Sequence, residues 1–455
     1  MSKETLDMAK AVAARVAEAG GRTFFVGGCV RDALMGVESK DVDIEVHGIP
    51  CDVLAEILSS LGELRTTGLS FGVYQLAHYD LDIAMPRRET AIGRGHRDFS
   101  VDVDPWIGTE KAAVRRDFTI NAMMRDVLTD ELIDHFGGRE DLAHGILRHV
   151  ADRSFVEDPL RVLRAAQFAA RFSFRIAPET AALCRTMDLT ALARERIFTE
   201  MEKALCKAPK PSVFFEALRE MDQLGYWFPE VAALIGVEQN PVHHPEGDVY
   251  RHTMQVLDAA ATLRDTAVHP LWLMLAALTH DFGKPATTEK INGTVHAYAH
   301  ESAGIPCVRA FLDRLTSETD LRRYVLNLSE WHMAPNLYAV QNASKKAFMH
   351  LYDRCVCPED LLLLAKADCL GRKTDREIAE REAITYPMLD EYRKLMEQPA
   401  VLGRDLVSLG FEPGPAFREA LSYAHKLHLA GVGKEAALTQ TVSYLKKEQK
   451  KNESR

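Results

Sequence analysis

Apolar residues follow two different rhythms along this chain of 455 residues. Up to about residue 150 they come as short runs, TFFVGG, DVDIEV, FGVYQLAHYDLDIAM and ELIDHFGG, separated by glycines and charged turns, which predicts a mixed region of strands and helices. The N-terminal MSKETLDMAKAVAARVAEAGG has the spacing of an amphipathic helix. From about residue 156 the strand pattern gives way to a helical one. FVEDPLRVLRAAQFAARFSF repeats its apolar positions at helical period, with Asp158 placed to cap and Pro159 at the first helical position. Helices are expected from there to the end. GVEQNPVHHPEGD, 236–248, is a linker by its Pro, Gly, Asn and His content, and LVSLGFEPGPAF breaks off a last helical piece before a frayed terminus, KKEQKKNESR. Four segments follow: 1–150, 151–235, 236–380 and 381–455.

Composition narrows the classes. A chain of this length exceeds what one core organises, so several domains are expected, each able to fold without staples. The eight cysteines are scattered with no CxxC pair, which argues against a zinc–cysteine site or a disulfide framework and for a reducing cytoplasm. No stretch approaches the roughly 18 consecutive apolar residues of a membrane span, so no membrane partner is expected. The net charge of −10 gives no bulk positive field, and any nucleic-acid contact must come from local patches.

The end of the first apolar run carries chemistry. In TFFVGGCVRDALMG, 23–36, Gly27 and Gly28 follow a strand and precede a helix, so the backbone can approach a phosphate and aim N–H groups at it, and Arg31 can add a bidentate contact. Neither GxxxxGK nor GxGxxG is present, which excludes the phosphate-loop ATPase and dinucleotide fingerprints. In KDVDIEV, 40–46, residues two apart share a strand face: Asp41 and Asp43 stand side by side while Val42 and Ile44 enter the core. Two carboxylates so placed repel unless a cation lies between them. The arrangement suits one or two Mg²⁺ ions on a nucleoside triphosphate, and Asp82 in YDLDIAM has the same strand setting and can complete the cage. A solvated strand face is the plainer alternative. RRETAIGRGHRDF, 87–99, is too polar for a core and reads as a mobile basic loop near triphosphate or RNA.

These stretches together carry a family resemblance. FFVGGCVRDALMG with KDVDIEV, then RRETAIGRGHRDF, KAAVRRDFTINAMM and EDPLRVLRAAQFAARF, over residues 20 to about 235 and in that order, resemble the successive motifs of the tRNA nucleotidyltransferase and bacterial poly(A) polymerase family, the CCA-adding enzymes. The resemblance implies an α+β fold, in which a nucleotidyltransferase-type head with a mixed or antiparallel sheet is followed by an all-α neck, body and HD domain. It also implies that Asp41 and Asp43 bind the metals with Asp82 assisting. Arg116, Asp117 and Asn121 would contact ribose and triphosphate, Asp158 and Arg161 would recognise the base, and Arg164 would join them at the nucleotide. Hydrogen-bond polarity supports the base-reading pair: C and A each present an amino donor beside a ring-nitrogen acceptor, so one acceptor and one donor side by side admit them and reject U and G. An ordinary i,i+3 surface ion pair is the competing reading of Asp158 and Arg161, with Glu157 bracing the pair in the functional one.

Further along, HPEGDVYRHTMQVLDAA, LWLMLAALTHDFGKP, HAYAHES and LLLLAKADCLGR place His252, His280, Asp281, His300 and Asp368 on successive helical patterns. His280 and Asp281 close a strongly apolar helix, where a buried charge is costly without a metal or partner. The series resembles HD-domain phosphohydrolases, which implies a divalent metal of unspecified identity held by His252, His280, Asp281 and Asp368. The expectation for the whole chain is a cytoplasmic enzyme that adds CMP and AMP from CTP and ATP to the 3′ end of tRNA, with a second, hydrolytic centre. A poly(A) polymerase, a partial CC- or A-adding enzyme, and an HD phosphohydrolase with a vestigial head are the rivals; the intact DVD and EDPLR speak against the last.

Overall fold

The structure, a computed structural model, describes residues 3–39, 41–65, 73–91, 99–372 and 375–453. Two compact units divide the chain, Met1–Pro229 and Glu230–Arg455. The first holds a sheet of seven strands, β1 (Arg22–Val26), β2 (Val42–His47), β3 (Leu64–Arg65), β4 (Val73–Leu76), β5 (Leu81–Ala84), β8 (Met124–Asp126) and β9 (Leu132–Ile133), in the order β3-β4-β5-β2-β1-β8-β9. Only the β2–β5 pair is parallel; the other neighbours run antiparallel. Val42, Ile44 and Val46 of β2 are buried with Val12 and Val16 of the amphipathic helix Lys3–Glu18 and Leu54 and Leu58 of the helix Cys51–Leu61. That packing fixes the register, since a slip of one residue would bury the acids instead.

The stretch expected as a basic loop forms the arms of an antiparallel hairpin, β6 (Arg87–Ala91) and β7 (Phe99–Val103); its tip, 92–98, lies outside the described residues. The helix expected from Pro159 begins at Leu160 and runs to Phe172, and the Asp158 carboxylate accepts from the Leu160 N–H at 3.1 Å. Phe118 ties this helix to the head, with ring centroids 5.7 Å from Phe155 and 5.8 Å from Phe168. Two strand pairs interrupt the helical part of the chain. One is the short parallel pair β10 (Ile146–Leu147) with β11 (Arg175–Ile176). The other, in the second unit, is the hairpin β12 (Thr288–Ile291) and β13 (Thr294–Ala297), whose Asn292 and Gly293 turn has φ of 51° and 83°, the left-handed pair that an Asn-Gly hairpin turn requires.

The second unit is otherwise helical. Val249–Leu263, Pro270–Thr279, Thr319–Trp331 and Pro358–Gly371 pack together, and a Cβ at Gly371 would come within 2.5 Å of Val256 Cγ2, so the glycine permits the close crossing. The last two helices, Pro415–Leu429 and Lys434–Glu453, close a small core of their own around Leu406, Phe417 and Leu445. Among the described residues no helix is long and apolar enough to cross a membrane.

Candidate active site

The alternation that buries Val42, Ile44 and Val46 turns Asp41, Asp43 and Glu45 to the opposite face of the sheet. Across the parallel pair Asp43 stands directly opposite Asp82, at the spacing of about 4.8 Å between neighbouring strands. Gln75 Nε2 donates to Asp82 Oδ1 at 2.5 Å. Burial first, and then the Asp82 charge, push the Asp43 carboxyl up to about 6; Asp41 adds to the rise and Arg116 opposes it. A carboxyl raised in this way between two neighbouring acids fits a divalent cation.

Asp41 and Asp43 open onto a cleft of about 850 Å³ that also reaches Gly27, Arg31, Arg116, Asn121, Asp158 and Arg164. Gly27 has φ of 72°, and a Cβ there would lie 3.2 Å from Arg116 Nη1. Asp117 is a buried hub: its Oδ1 accepts from the Phe118 N–H and Asn121 Nδ2, and its Oδ2 from Arg164 Nε at 2.8 Å. Burial raises that carboxyl, but Arg164 and Asn121 outweigh it and hold the group below the usual range. Asn121 Oδ1 in turn accepts from Arg31 Nη1 at 2.7 Å, while Arg31 Nε and Nη2 donate to Asp32. A network thus sets the direction of three cleft-lining side chains before any ligand arrives.

Asp158 and Arg161 both line the cleft but form no ion pair with each other; each is pinned separately. Arg196 holds Asp158 through Nη2 at 2.9 Å and Nη1 at 3.3 Å, and Arg161 donates from Nη1 and Nη2 to the carbonyls of Ser154 and Arg115. Carboxylate and guanidinium therefore sit side by side without neutralising one another. The Glu157 side chain is exposed and makes no hydrogen bond or ion pair among the described residues, and Arg196 holds Asp158 instead.

The second unit gathers its histidines around one carboxylate. Asp281 Oδ2 lies 3.2 Å from His280 Nε2 and 3.7 Å from His252 Nε2, and its Oδ1 lies 3.3 Å from His300 Nε2 and 4.0 Å from His332 Nε2. His252 Nε2 also meets Asp368 Oδ1 at 3.0 Å. The Nδ1 atoms of His280, His300 and His332 face the carbonyls of Ala277, Ala297 and Ser329 at 2.8, 2.9 and 2.7 Å. That contact suits a proton on Nδ1 and turns each Nε2 toward Asp281, the arrangement of metal-ligating imidazoles. Burial, then the neighbouring His280 and His300, lower His332 to about 3, so it is neutral near pH 7. Burial raises Asp281, but His280 and Lys284 hold it well below the usual carboxylate range. Asp281 Oδ2 has the Lys284 ammonium at 2.7 Å, while His280 Nε2 is buried without a hydrogen-bond partner, an orphan that a cation would satisfy.

Three family models match successive parts of the chain: the Poly A polymerase head domain over 23–148, the probable RNA and SrmB-binding site of polymerase A over 173–235, and the HD domain over 249–372. The multifunctional CCA protein of Actinobacillus pleuropneumoniae serotype 5b is 35% identical over 413 residues, covering 88% of this chain and 96% of that one. That of Thioalkalivibrio sulfidiphilus is 38% identical over 412 residues, with coverage of 88% and 96%.

The chain belongs to the multifunctional CCA protein family.

Its fold is shared with solved structures of low sequence identity. The Bacillus stearothermophilus CCA-adding enzyme in complex with CTP matches with a TM-score of 0.68 at 22% identity over 99% of this chain and all of that one. The Thermotoga maritima CCA-adding enzyme complexed with tRNA matches with a TM-score of 0.61 at 21% identity, covering 98% and 96%. Within this CCA-protein chain, sequence reading missed several residues that the fold brings to the sites. Glu45, one more acid on strand β2, and Arg115, Arg171, Arg196, Lys203 and Lys207, from segments whose charges look like ordinary solvated faces, line the cleft or support it. His332 joins the HD centre, and here a signal existed: like His280 it follows directly on an apolar-faced helix, at the position of the C-cap.

Proposed function

We propose that the first unit adds CMP and AMP from CTP and ATP to the 3′ end of tRNA, with release of pyrophosphate, in the cytoplasm. The observation that carries this is the meeting in one cleft of Asp41 and Asp43, the latter opposite Asp82 on the neighbouring strand, with a separately pinned Asp158 and Arg161. The terminal ribose oxygen forms a new bond to the α-phosphorus as the bond to pyrophosphate breaks. Mg²⁺, held by Asp41, Asp43 and Asp82, would supply charge compensation to the attacking and leaving oxygens. Arg31, Arg116 and Arg164 face the cleft as phosphate contacts, with Gly27 and Gly28 letting the backbone come close; Asp117 and Asn121 aim those cations. Asp158 accepts from the exocyclic amine and Arg161 donates to the ring nitrogen of C or A. Residues 1–150 act as catalytic head and 151–235 as neck and RNA-binding region.

The cluster in segment 236–380 reads as a divalent-metal phosphohydrolase centre, with His252, His280, Asp281 and Asp368 joined by His300 and His332. Asp281 turns Oδ2 toward His280 and His252 and Oδ1 toward His300 and His332, and with them would hold a divalent cation that activates water for hydrolysis. Segment 381–455 closes the unit as a helical tail.

Single-nucleotide incorporation of all four NTPs, on tRNA ending before CCA, tests the head. Wild type is expected to use CTP, and ATP after two C additions, and to refuse UTP and GTP. Asp158→Ala and Arg161→Ala leave a base edge unpaired in a closed site, costing about 1 to 3 kcal/mol and relaxing discrimination by roughly tenfold to a hundredfold. Unchanged preference in both variants would place base reading elsewhere.

A further inference from the structure

Glu45 stands out among buried charges that sequence reading left unassigned. It lies two positions after Asp43 on β2, on the same face, with no exposed surface. Its Oε1 meets His47 Nε2 at 2.9 Å, and its Oε2 takes Arg116 Nη2 at 3.3 Å and Arg115 Nη2 at 3.4 Å. A carboxylate sunk this deep is retained only if its partners stay. Arg116 is the partner that matters for chemistry. Its other terminal nitrogen, Nη1, and Asp43 Oδ2 flank the same point, 3.2 and 3.7 Å from where a Gly27 Cβ would stand, yet arginine and aspartate form no ion pair among the described residues. Arg116 Nε is buried without a hydrogen-bond partner. The guanidinium is therefore held between two attractors, tied to one and kept short of the other.

We propose that Glu45 is a positioning residue for nucleotidyl transfer, which tethers Arg116 beside the glycine turn so that the guanidinium faces the phosphates and does not close onto Asp43 in the place of the cation. This rests on the reading of the head as a metal-dependent nucleotidyltransferase. Cut the tether and Arg116, with its charge uncompensated, has the Asp43 carboxylate across the glycine turn as an alternative partner. A guanidinium there and a divalent cation exclude each other, since both need the same oxygens. Glu45 thus acts on metal occupancy through Arg116, without touching metal or nucleotide.

The test measures Mn²⁺ bound to the full-length protein by electron paramagnetic resonance, taking as the head's share the part that Asp43→Ala removes. Glu45→Gln is expected to weaken that share by about fivefold or more, and Glu45→Gln with Arg116→Ala to restore it to within about twofold of wild type, a coupling of ordinary size for contacting charges. The Mg²⁺ concentration for half-maximal CMP incorporation should rise in Glu45→Gln in parallel. Glu45→Asp keeps the charge but withdraws it by one methylene, and an intermediate effect is expected if Glu45→Gln fails to fold. Wild-type Mn²⁺ binding in Glu45→Gln, or a double variant as weak as the single one, would overturn the tether and make Glu45 a fold-stabilising residue. Should Asp43→Ala remove no bound Mn²⁺, the metal reading of the head falls and the tether with it; should Asp43→Ala remove it while Glu45→Gln does not, the tether alone falls.

Discussion

At the scale of single residues, Asp43 concentrates the electrostatic problem of the head. Its carboxyl, ordinarily near 3.8, is pushed up to about 6 by burial and then by Asp82. The raised value means that the folded protein binds a proton which the unfolded chain has already released between pH 3.8 and 6. The contribution of this group to stability is therefore fully present below about 3.8 and lost as pH rises through about 6. A cation that replaces the proton must compete with it below that pH and restores stability above it. In metal-free protein, the rise in Tm caused by added Mn²⁺ should grow from pH 5 to pH 7. The growth should be smaller in Asp43→Asn, which carries no titrating group there. Thermal unfolding at each pH with and without Mn²⁺ checks this, and an equal growth in both proteins would remove Asp43 from the metal set.

At the scale of elements, the HD centre depends on how closely two short helical segments approach. Gly283, two residues after Asp281, is packed so tightly that a Cβ there would overlap the His300 carbonyl and crowd the Gly304 N–H. Since the obstacle is backbone, no side-chain rotation relieves it. Gly283→Ala should displace the His300–Ala303 helix and draw His300 away from Asp281 Oδ1, now 3.3 Å from its Nε2. Overpacking of this kind costs about 1 to 3 kcal/mol, and the expected result is a lower Tm together with a loss of metal from the HD centre. Metal content by elemental mass spectrometry reads the effect. Gly293→Ala, at an open turn position with φ of 83°, should strain the hairpin locally and leave the metal in place.

For the whole molecule, the two centres belong to two compact units, each with its own buried clusters. A change that removes one cation set therefore need not disturb the other. Asp281→Ala takes away the carboxylate shared by every imidazole of the HD centre and should abolish hydrolysis of generic phosphoesters, while CMP incorporation stays within about twofold of wild type. Parallel assays on one preparation decide it. A loss of incorporation in Asp281→Ala, with the fold intact by circular dichroism, would show that the units are coupled.

Much of this was legible in the sequence, because the deciding features are local. The alternation in DVDIEV alone places Asp41 and Asp43 opposite the core, and the order of motifs from TFFVGG to EDPLRVLRAAQFAARF announces the head; His252, His280, Asp281 and Asp368 stand in signature order. The Asn292–Gly293 turn was equally local, and the hairpin it makes went unread only because a helical pattern surrounds it. What the chain could not reveal by itself depends on distance in space. Asp82 faces Asp43 because β5 pairs with β2 in parallel, a register set by the packing of Val42, Ile44 and Ile83. Arg196, not the neighbouring Glu157, fixes Asp158, because the helix Arg194–Lys207 packs on Leu160–Phe172. Glu45 reads in sequence as one more acid on a strand, and only burial beside Arg115, Arg116 and His47 makes it the anchor of the cleft. A charge acquires its role from the groups that surround it once water is excluded, and that exclusion is a property of the folded chain.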